Sequence, residues 1–182
     1  MVPRWFAFLP NFITIARLVL TPAIIAMMAE ARWQAAFLIF LVAGASDALD
    51  GWLAKTFNLQ SELGAVLDPL ADKALLISMY VTLAIKGQAP AWLAILIVSR
   101  DALIIGGVSV AWFLSRPIKV RPHIASKLTT AAQLLLAALI LGGAAYGFRL
   151  EALETFLIAS VAALTLASAT VYLWVWVQHM RP

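Results

Sequence analysis

No cysteine occurs anywhere in the 182 residues, which excludes disulfide bridges and thiolate metal sites. Charge is almost as scarce, at 12% of the chain, whereas a soluble globular domain carries about a quarter. Low-complexity stretches and Pro/Gly/Ser-rich linkers are missing too, so one domain over residues 1–182 is expected. No basic surface interleaved with aromatic residues is present, which argues against nucleic-acid binding. The net charge of +4 lies mostly between the apolar runs and suits anionic lipid head groups better.

What remains is apolar. Hydrophobic residues make up 64% of the chain, the composition of an integral membrane protein. A helix needs about 20 apolar residues to cross the hydrocarbon core. Six segments reach that length, roughly 11–30, 33–56, 62–86, 90–114, 125–147 and 153–178. The expected fold class is therefore an all-α integral membrane protein with six transmembrane helices. Residues 3–9, with Pro3, Arg4, Trp5, Phe6 and Phe8, read as a short N-terminal interfacial segment. Arg4, the following apolar stretch and Ala29-Glu30-Ala31 imitate a cleavable signal, but Arg17 interrupts the hydrophobic region, and the segment is read as a span.

Positive charge sets the orientation. Arg4, Lys55, Arg116, Lys119, Arg121, Lys127 and Arg181 fall on the side of the termini. Arg32, Lys86 and Arg149 lie opposite, diluted by Glu30, Glu151 and Glu154. Both termini are expected to be cytoplasmic, and a bacterial inner membrane is the expected location.

Against this background the acids stand out. Asp47, Asp50, Asp68 and Asp72 are four of five aspartates, and all lie between residues 47 and 72. A carboxylate near the bilayer centre costs roughly 2.5 to 3.5 kcal/mol, so four unpaired ones would cost on the order of 10 kcal/mol. Asp47 and Asp50 are three residues apart near the end of the second span. Asp68 and Asp72 are four apart near the start of the third, so each pair shares a helix face. A short connection at 57–61 makes these spans antiparallel neighbours and brings the two pairs to similar depth.

Four hard oxygen donors suit Mg²⁺, Mn²⁺ or Ca²⁺ rather than zinc, since His123 and His179 lie outside the cluster. Two ions bridged by shared carboxylates are suited to in-line phosphoryl displacement. One carboxylate, less engaged by metal, could take a proton from an attacking hydroxyl. Asp72 is the candidate, a role that spacing by itself does not assign. Gly51, Gly64 and Ala54 leave room beside the acids for a planar base or a diphosphate, although small residues also serve plain helix packing.

The segment resembles the CDP-alcohol phosphotransferases, whose pattern sets Asp, Asp-Gly, Ala-Arg, Gly, Asp and Asp at fixed intervals. Asp47, Asp50, Gly51, Ala54, Gly64, Asp68 and Asp72 keep every spacing, and Lys55 replaces the usual arginine. The resemblance implies that an acceptor hydroxyl attacks the β-phosphate of a CDP-linked donor and releases CMP, with two divalent cations held by the aspartates. It implies Asp47, Asp50 and Asp68 as ligands and Asp72 as a ligand-proximal general base. Gly51, Ala54, Lys55 and Gly64 would flank the donor, where Lys55 keeps a charge but loses the two-pronged arginine geometry.

The opening Pro10-Asn11 through Arg17 and the stretch Asp68 to Lys73 are similar to phosphatidylglycerophosphate synthases and CMP-forming cardiolipin synthases alike. Ser99-Arg100-Asp101 and Arg121 to Thr130 are closer to the cardiolipin synthases. The implied donor is CDP-diacylglycerol and the implied acceptor phosphatidylglycerol, with glycerol 3-phosphate as the alternative. Arg100, Arg121 and Lys127 are the candidate acceptor-phosphate residues, and a homodimer is implied by the resemblance alone. A divalent-cation transporter is the rival from another class, but spans four to six hold no second acidic motif to match the first.

Charges inside spans are functional candidates by default. Arg17 could reach a phosphate or an acidic pair, and Arg100 and Asp101 could neutralise each other or a neighbour. Lys73 follows Asp72 directly and so points off the acidic face, as a packing or snorkelling residue would. Gly106-Gly107 and Gly143/Gly147 offer close-approach surfaces, within one subunit or between two.

Overall fold

Each long apolar run forms one helix. The computed structural model describes residues 9–57, 62–113 and 124–180, with side chains at 15–47, 70–113 and 126–179. The helices are α1 (Leu9–Ala29), α2 (Trp33–Phe57), α3 (Glu62–Ile85), α4 (Ala91–Phe113), α5 (Ile124–Tyr146) and α6 (Glu151–Met180). The interfacial segment 3–9 apart from Leu9, the connection at 58–61, and Arg116, Lys119, Arg121, His123 and Arg181 lie outside the described residues.

Local chemistry explains where the helices stop. After α1, Ala31 adopts φ 56° while Arg32 N–H donates to Met27 C=O at 2.8 Å and Ala31 N–H to Met28 C=O at 3.1 Å. The same paired closure follows α3, with Gly87 at φ 68°, Gln88 N–H on Leu83 C=O and Gly87 N–H on Ala84 C=O. Both satisfy carbonyls that a helix end leaves without partners. Glycine takes the left-handed conformation freely, whereas Ala31 takes it against the steric preference of an L-residue. Glu151 and Glu154 lie in the first turn of α6, where the helix dipole favours negative charge.

The helices close into a ring in the order α1, α2, α5, α6, α4, α3, with α3 also touching α5 across the middle. Among the described residues α2 and α3 do not touch, so the neighbours expected from their short connection are instead bridged by α1, which packs on both. α3 is the inner post. It buries Leu75, Leu76, Met79, Tyr80 and Leu83 against Ile24 and Met28 of α1, Leu93 and Ile97 of α4, and Leu136 and Leu141 of α5. The Tyr80 hydroxyl donates to Gln133 C=O at 2.8 Å, so its one polar atom is satisfied inside the core.

Many large apolar side chains face outward, among them Ile95, Trp112 and Phe113 on α4 and Phe156 and Trp174 on α6. An apolar outside around a partly polar inside is the pattern of a bundle solvated by lipid. Ala91–Phe113, Ser126–Tyr146 and Glu151–His179 are long and apolar enough to cross a membrane by length and composition.

Gly107 and Gly143 serve contacts within this bundle, whereas a β-carbon at Gly106 would meet nothing within 4 Å. Gly107 lies under the Trp176 ring, and Trp176 Nε1–H donates to Gly107 C=O at 2.9 Å, joining α6 to α4. At Gly143 a β-carbon would stand 2.7 Å from the Phe148 carbonyl oxygen, and Gly147 closes α5 at φ 71°. Gly143→Ala should therefore force the α5–α6 turn apart and destabilise the protein by about 1 to 3 kcal/mol, the usual range for overpacking. A thermal melt in detergent reads this as a lower apparent Tm, and an unchanged melt contradicts it.

Candidate active site

Arg17 is the centre of the described part of the site. It is buried to 2% in the middle of α1, where Thr21 Oγ1 donates back to its carbonyl at 2.9 Å. One terminal nitrogen of its guanidinium donates to Asp47 Oδ1 on α2, and the other donates to Asp72 Oδ1 on α3. One planar cation thus forks between the two acidic helices, a geometry available to arginine and not to lysine. Asp47 and Asp72 remain 46% and 43% exposed, so the carboxylates open outward while the cation behind them is enclosed.

Asp50, Gly51, Ala54 and Lys55 lie on the last turns of α2, and Gly64 and Asp68 on the first turns of α3. Their side chains fall outside the described residues. Of the four aspartates, Asp47 and Asp72 can be followed to their tips, and Arg17 brings those two together. Two hard oxygen donors from different helices around one cation position fit a divalent ion in donor type and in charge. Their exposed flanks leave a way in for it.

A second charged group adjoins the first. Lys73 Nζ donates to Asp101 Oδ1 of α4, and Asp101 Oδ1 also accepts from Arg100 Nη1 at 2.6 Å. Arg100 Nη2 donates to Ser126 Oγ of α5 at 3.0 Å and to Ser168 Oγ of α6 at 2.5 Å, and its guanidinium carbon lies 5.8 Å from the centre of the Tyr172 ring. Arg100 and Asp101 are buried to 2% and 1%. Lys73 does turn off the acidic face, but towards an ion-pair partner rather than towards lipid or the head groups. Lys127 is exposed on the first turn of α5, and Arg121 lies outside the described residues.

Ser126, Ser168 and Tyr172, which surround the Arg100 guanidinium, are not singled out by the sequence reading. A signal for two of them existed, because Ser168 and Tyr172 are four apart and so share one face of an apolar helix.

An apolar ring of helices that gathers carboxylates and cations at one place defines a membrane protein with a polar, charged site. The family model for CDP-alcohol phosphatidyltransferases matches residues 7–176, and the chain belongs to that family. Members generally use divalent metal ions, and they join CDP-alcohol donors to lipid or alcohol acceptors. Together with the apolar helices, membership makes this an integral membrane protein.

Among curated relatives, a cardiolipin synthase (CMP-forming) / mitochondrial hydrolase fusion protein of Schizosaccharomyces pombe is 35% identical over 179 residues, covering 90% of this chain and 30% of that protein. The cardiolipin synthase (CMP-forming) of Homo sapiens is 31% identical over 156 residues, covering 77% of this chain and 52% of that one. The chloroplastic CDP-diacylglycerol–glycerol-3-phosphate 3-phosphatidyltransferase 1 of Oryza sativa is 35% identical over 147 residues, 71% of this chain and 45% of that one. The chain spans about half the length or less of these relatives.

Proposed function

We propose that the chain transfers a phosphatidyl group from CDP-diacylglycerol to a hydroxyl of phosphatidylglycerol, giving cardiolipin and CMP. The observation that carries this reading is the convergence of Asp47 and Asp72, from two helices, on the enclosed guanidinium of Arg17 in a largely apolar bundle. Kinship with CMP-forming cardiolipin synthases favours the acceptor.

The acceptor oxygen attacks the β-phosphorus as the bond from that phosphorus to the oxygen shared with the α-phosphate breaks. The electron pair of the broken bond leaves with CMP. The hydroxyl proton passes to a carboxylate oxygen of Asp72. Two Mg²⁺ or Mn²⁺ ions held by Asp47, Asp50, Asp68 and Asp72 would supply charge neutralisation at the phosphoryl oxygens. Gly51, Ala54 and Gly64 admit the donor, and Lys55 offers its diphosphate a point charge.

Arg121 and Lys127 receive the acceptor phosphate. Arg100, expected beside them, is enclosed with both terminal nitrogens engaged by Asp101, Ser126 and Ser168, so it acts from behind, its hydrogen bond to Ser126 holding the turn of α5 that carries Lys127. In this reading all six helices cross the membrane, the acids lie in the cytoplasmic leaflet with both termini on that side, the membrane is a bacterial inner membrane, and two chains form a homodimer.

Glycerol 3-phosphate as acceptor is the second reading, favoured by the Oryza sativa relative, whose name specifies that substrate. Purified protein with CDP-diacylglycerol and Mg²⁺ or Mn²⁺ should release CMP when phosphatidylglycerol is added and not when glycerol 3-phosphate is. The reverse preference selects the second reading. No CMP with either acceptor, together with metal uptake into liposomes, would favour transport instead.

A further inference from the structure

Six charged side chains form one chain of alternating sign, Asp47, Arg17, Asp72, Lys73, Asp101 and Arg100, in which all steps but one are side-chain ion pairs. The exception is the backbone step from Asp72 to Lys73. Through Ser126 and Ser168 the chain of contacts reaches α5 and α6, so it touches all six helices. Asp72 faces Arg17 of α1, and Lys73 faces Asp101 of α4.

Consecutive residues on a helix diverge by about 100° around its axis. Anchors at two such positions fix the rotation of α3, because turning the helix either way draws at least one of them from its partner. A rotation of about 10° moves a carboxylate held about 6 Å from the axis by about 1 Å. A displacement of about 1 Å at a reacting group can lower a rate about 10²-fold.

The far anchor is itself held. Asp101 is buried to 1% and accepts from Arg100, which is fixed by two hydroxyls on different helices. A flexible lysine is thereby tied to a carboxylate that cannot follow it, and the position of the Lys73 ammonium is set from the α4–α6 side of the ring.

We propose that Lys73 is a positioning residue for Asp72, which through its ion pair with Asp101 fixes the rotation of α3 and so the place of the Asp72 carboxylate in the reaction site. The proposal rests on the role given to Asp72 above, but not on the identity of the acceptor.

Lys73→Met is the informative variant. It keeps an unbranched chain one atom shorter and removes the tether, while Asp101 stays neutralised by Arg100, so no buried charge loses its only partner. Outer partners of a metal site typically contribute about 10- to 100-fold to metal affinity or activity. Lys73→Met should lower kcat by about 10- to 100-fold with KM for donor and acceptor within about 3-fold of the parent protein. Mn²⁺ binding, followed by the loss of free-ion paramagnetic resonance signal without substrate, should weaken by about 10-fold. Lys73→Arg restores charge and reach and should recover most of both losses.

A packing or snorkelling role predicts the opposite, because methionine is the easier residue to keep in lipid. Unchanged kcat and Mn²⁺ affinity in Lys73→Met, or Lys73→Arg as impaired as Lys73→Met, overturns the proposal. If the parent protein releases no CMP with any acceptor, the proposed function fails, and the Mn²⁺ comparison still decides whether Lys73 positions the acid.

Discussion

Replacing Asp72 with asparagine is expected to lower CMP release by about 10³-fold, or about 4 kcal/mol of transition-state stabilisation. Asparagine has the same shape and can still accept a hydrogen bond from Arg17, so the bundle should hold. It cannot take a proton from the acceptor hydroxyl, and it is a far poorer ligand for a hard cation. Binding of the CDP-linked donor, measured by equilibrium titration, should change little, since Gly51, Ala54, Lys55 and Gly64 are untouched. The loss should therefore fall on kcat rather than on KM, as for a group that matters chiefly in the transition state. Asp72→Glu should recover only a small part, because an added methylene moves the carboxylate by roughly the distance that α3 is held against. Turnover in Asp72→Asn within a few-fold of the parent protein would remove Asp72 from the role of base and shift attention to the other acids.

Much of this arrangement was legible in the chain because a bilayer leaves few choices. A run of about 20 apolar residues has to be a helix if its backbone groups are to be satisfied in lipid. The helices accordingly start and stop close to the expected segments, with the departures at closures such as Ala31 and Gly87, which hydropathy does not register. Spacings of three and four placed the aspartates of each pair on one face, a local property that needs no tertiary knowledge. Pairing across the ring was less accessible. Arg17 was marked as a buried charge able to reach an acid or a phosphate, yet that it forks between Asp47 and Asp72 depends on α1 packing on both acidic helices. The sequence showed that Lys73 turns away from the acids, but the identity of its partner follows from α4 lying next to α3. Gly143 shows the same limit, since its spacing from Gly147 suggested a helix contact and its use is to clear the Phe148 carbonyl at the end of its own helix.

At Arg17 the expected loss of stability is large, and its size depends on metal. Removing one partner of a buried ion pair costs about 3 to 5 kcal/mol, and an exposed pair contributes about 1 kcal/mol or less. Arg17 is enclosed while its two carboxylates are nearly half exposed, so Arg17→Met belongs between these limits. A loss of about 2 kcal/mol corresponds to a fall of about 4 to 8 °C in apparent Tm for a chain of this size. In the variant Asp47 and Asp72 face each other without the cation that separates them, and a divalent ion is the natural replacement. Ligand present at about 100 times its Kd stabilises by about 2.7 kcal/mol. In the parent protein the ion meets carboxylate oxygens already engaged by Arg17, and part of that gain is offset by loosening the guanidinium. Mn²⁺ should therefore raise the melting temperature of Arg17→Met by several degrees more than that of the parent protein, while Arg17→Lys, a point charge unable to fork, falls between them. A smaller Mn²⁺ effect in Arg17→Met than in the parent would mean that Arg17 builds the ion site instead of competing for it. The arginine would then hold the carboxylates in position for the ion, and its removal would weaken Mn²⁺ binding in the way expected for Lys73→Met.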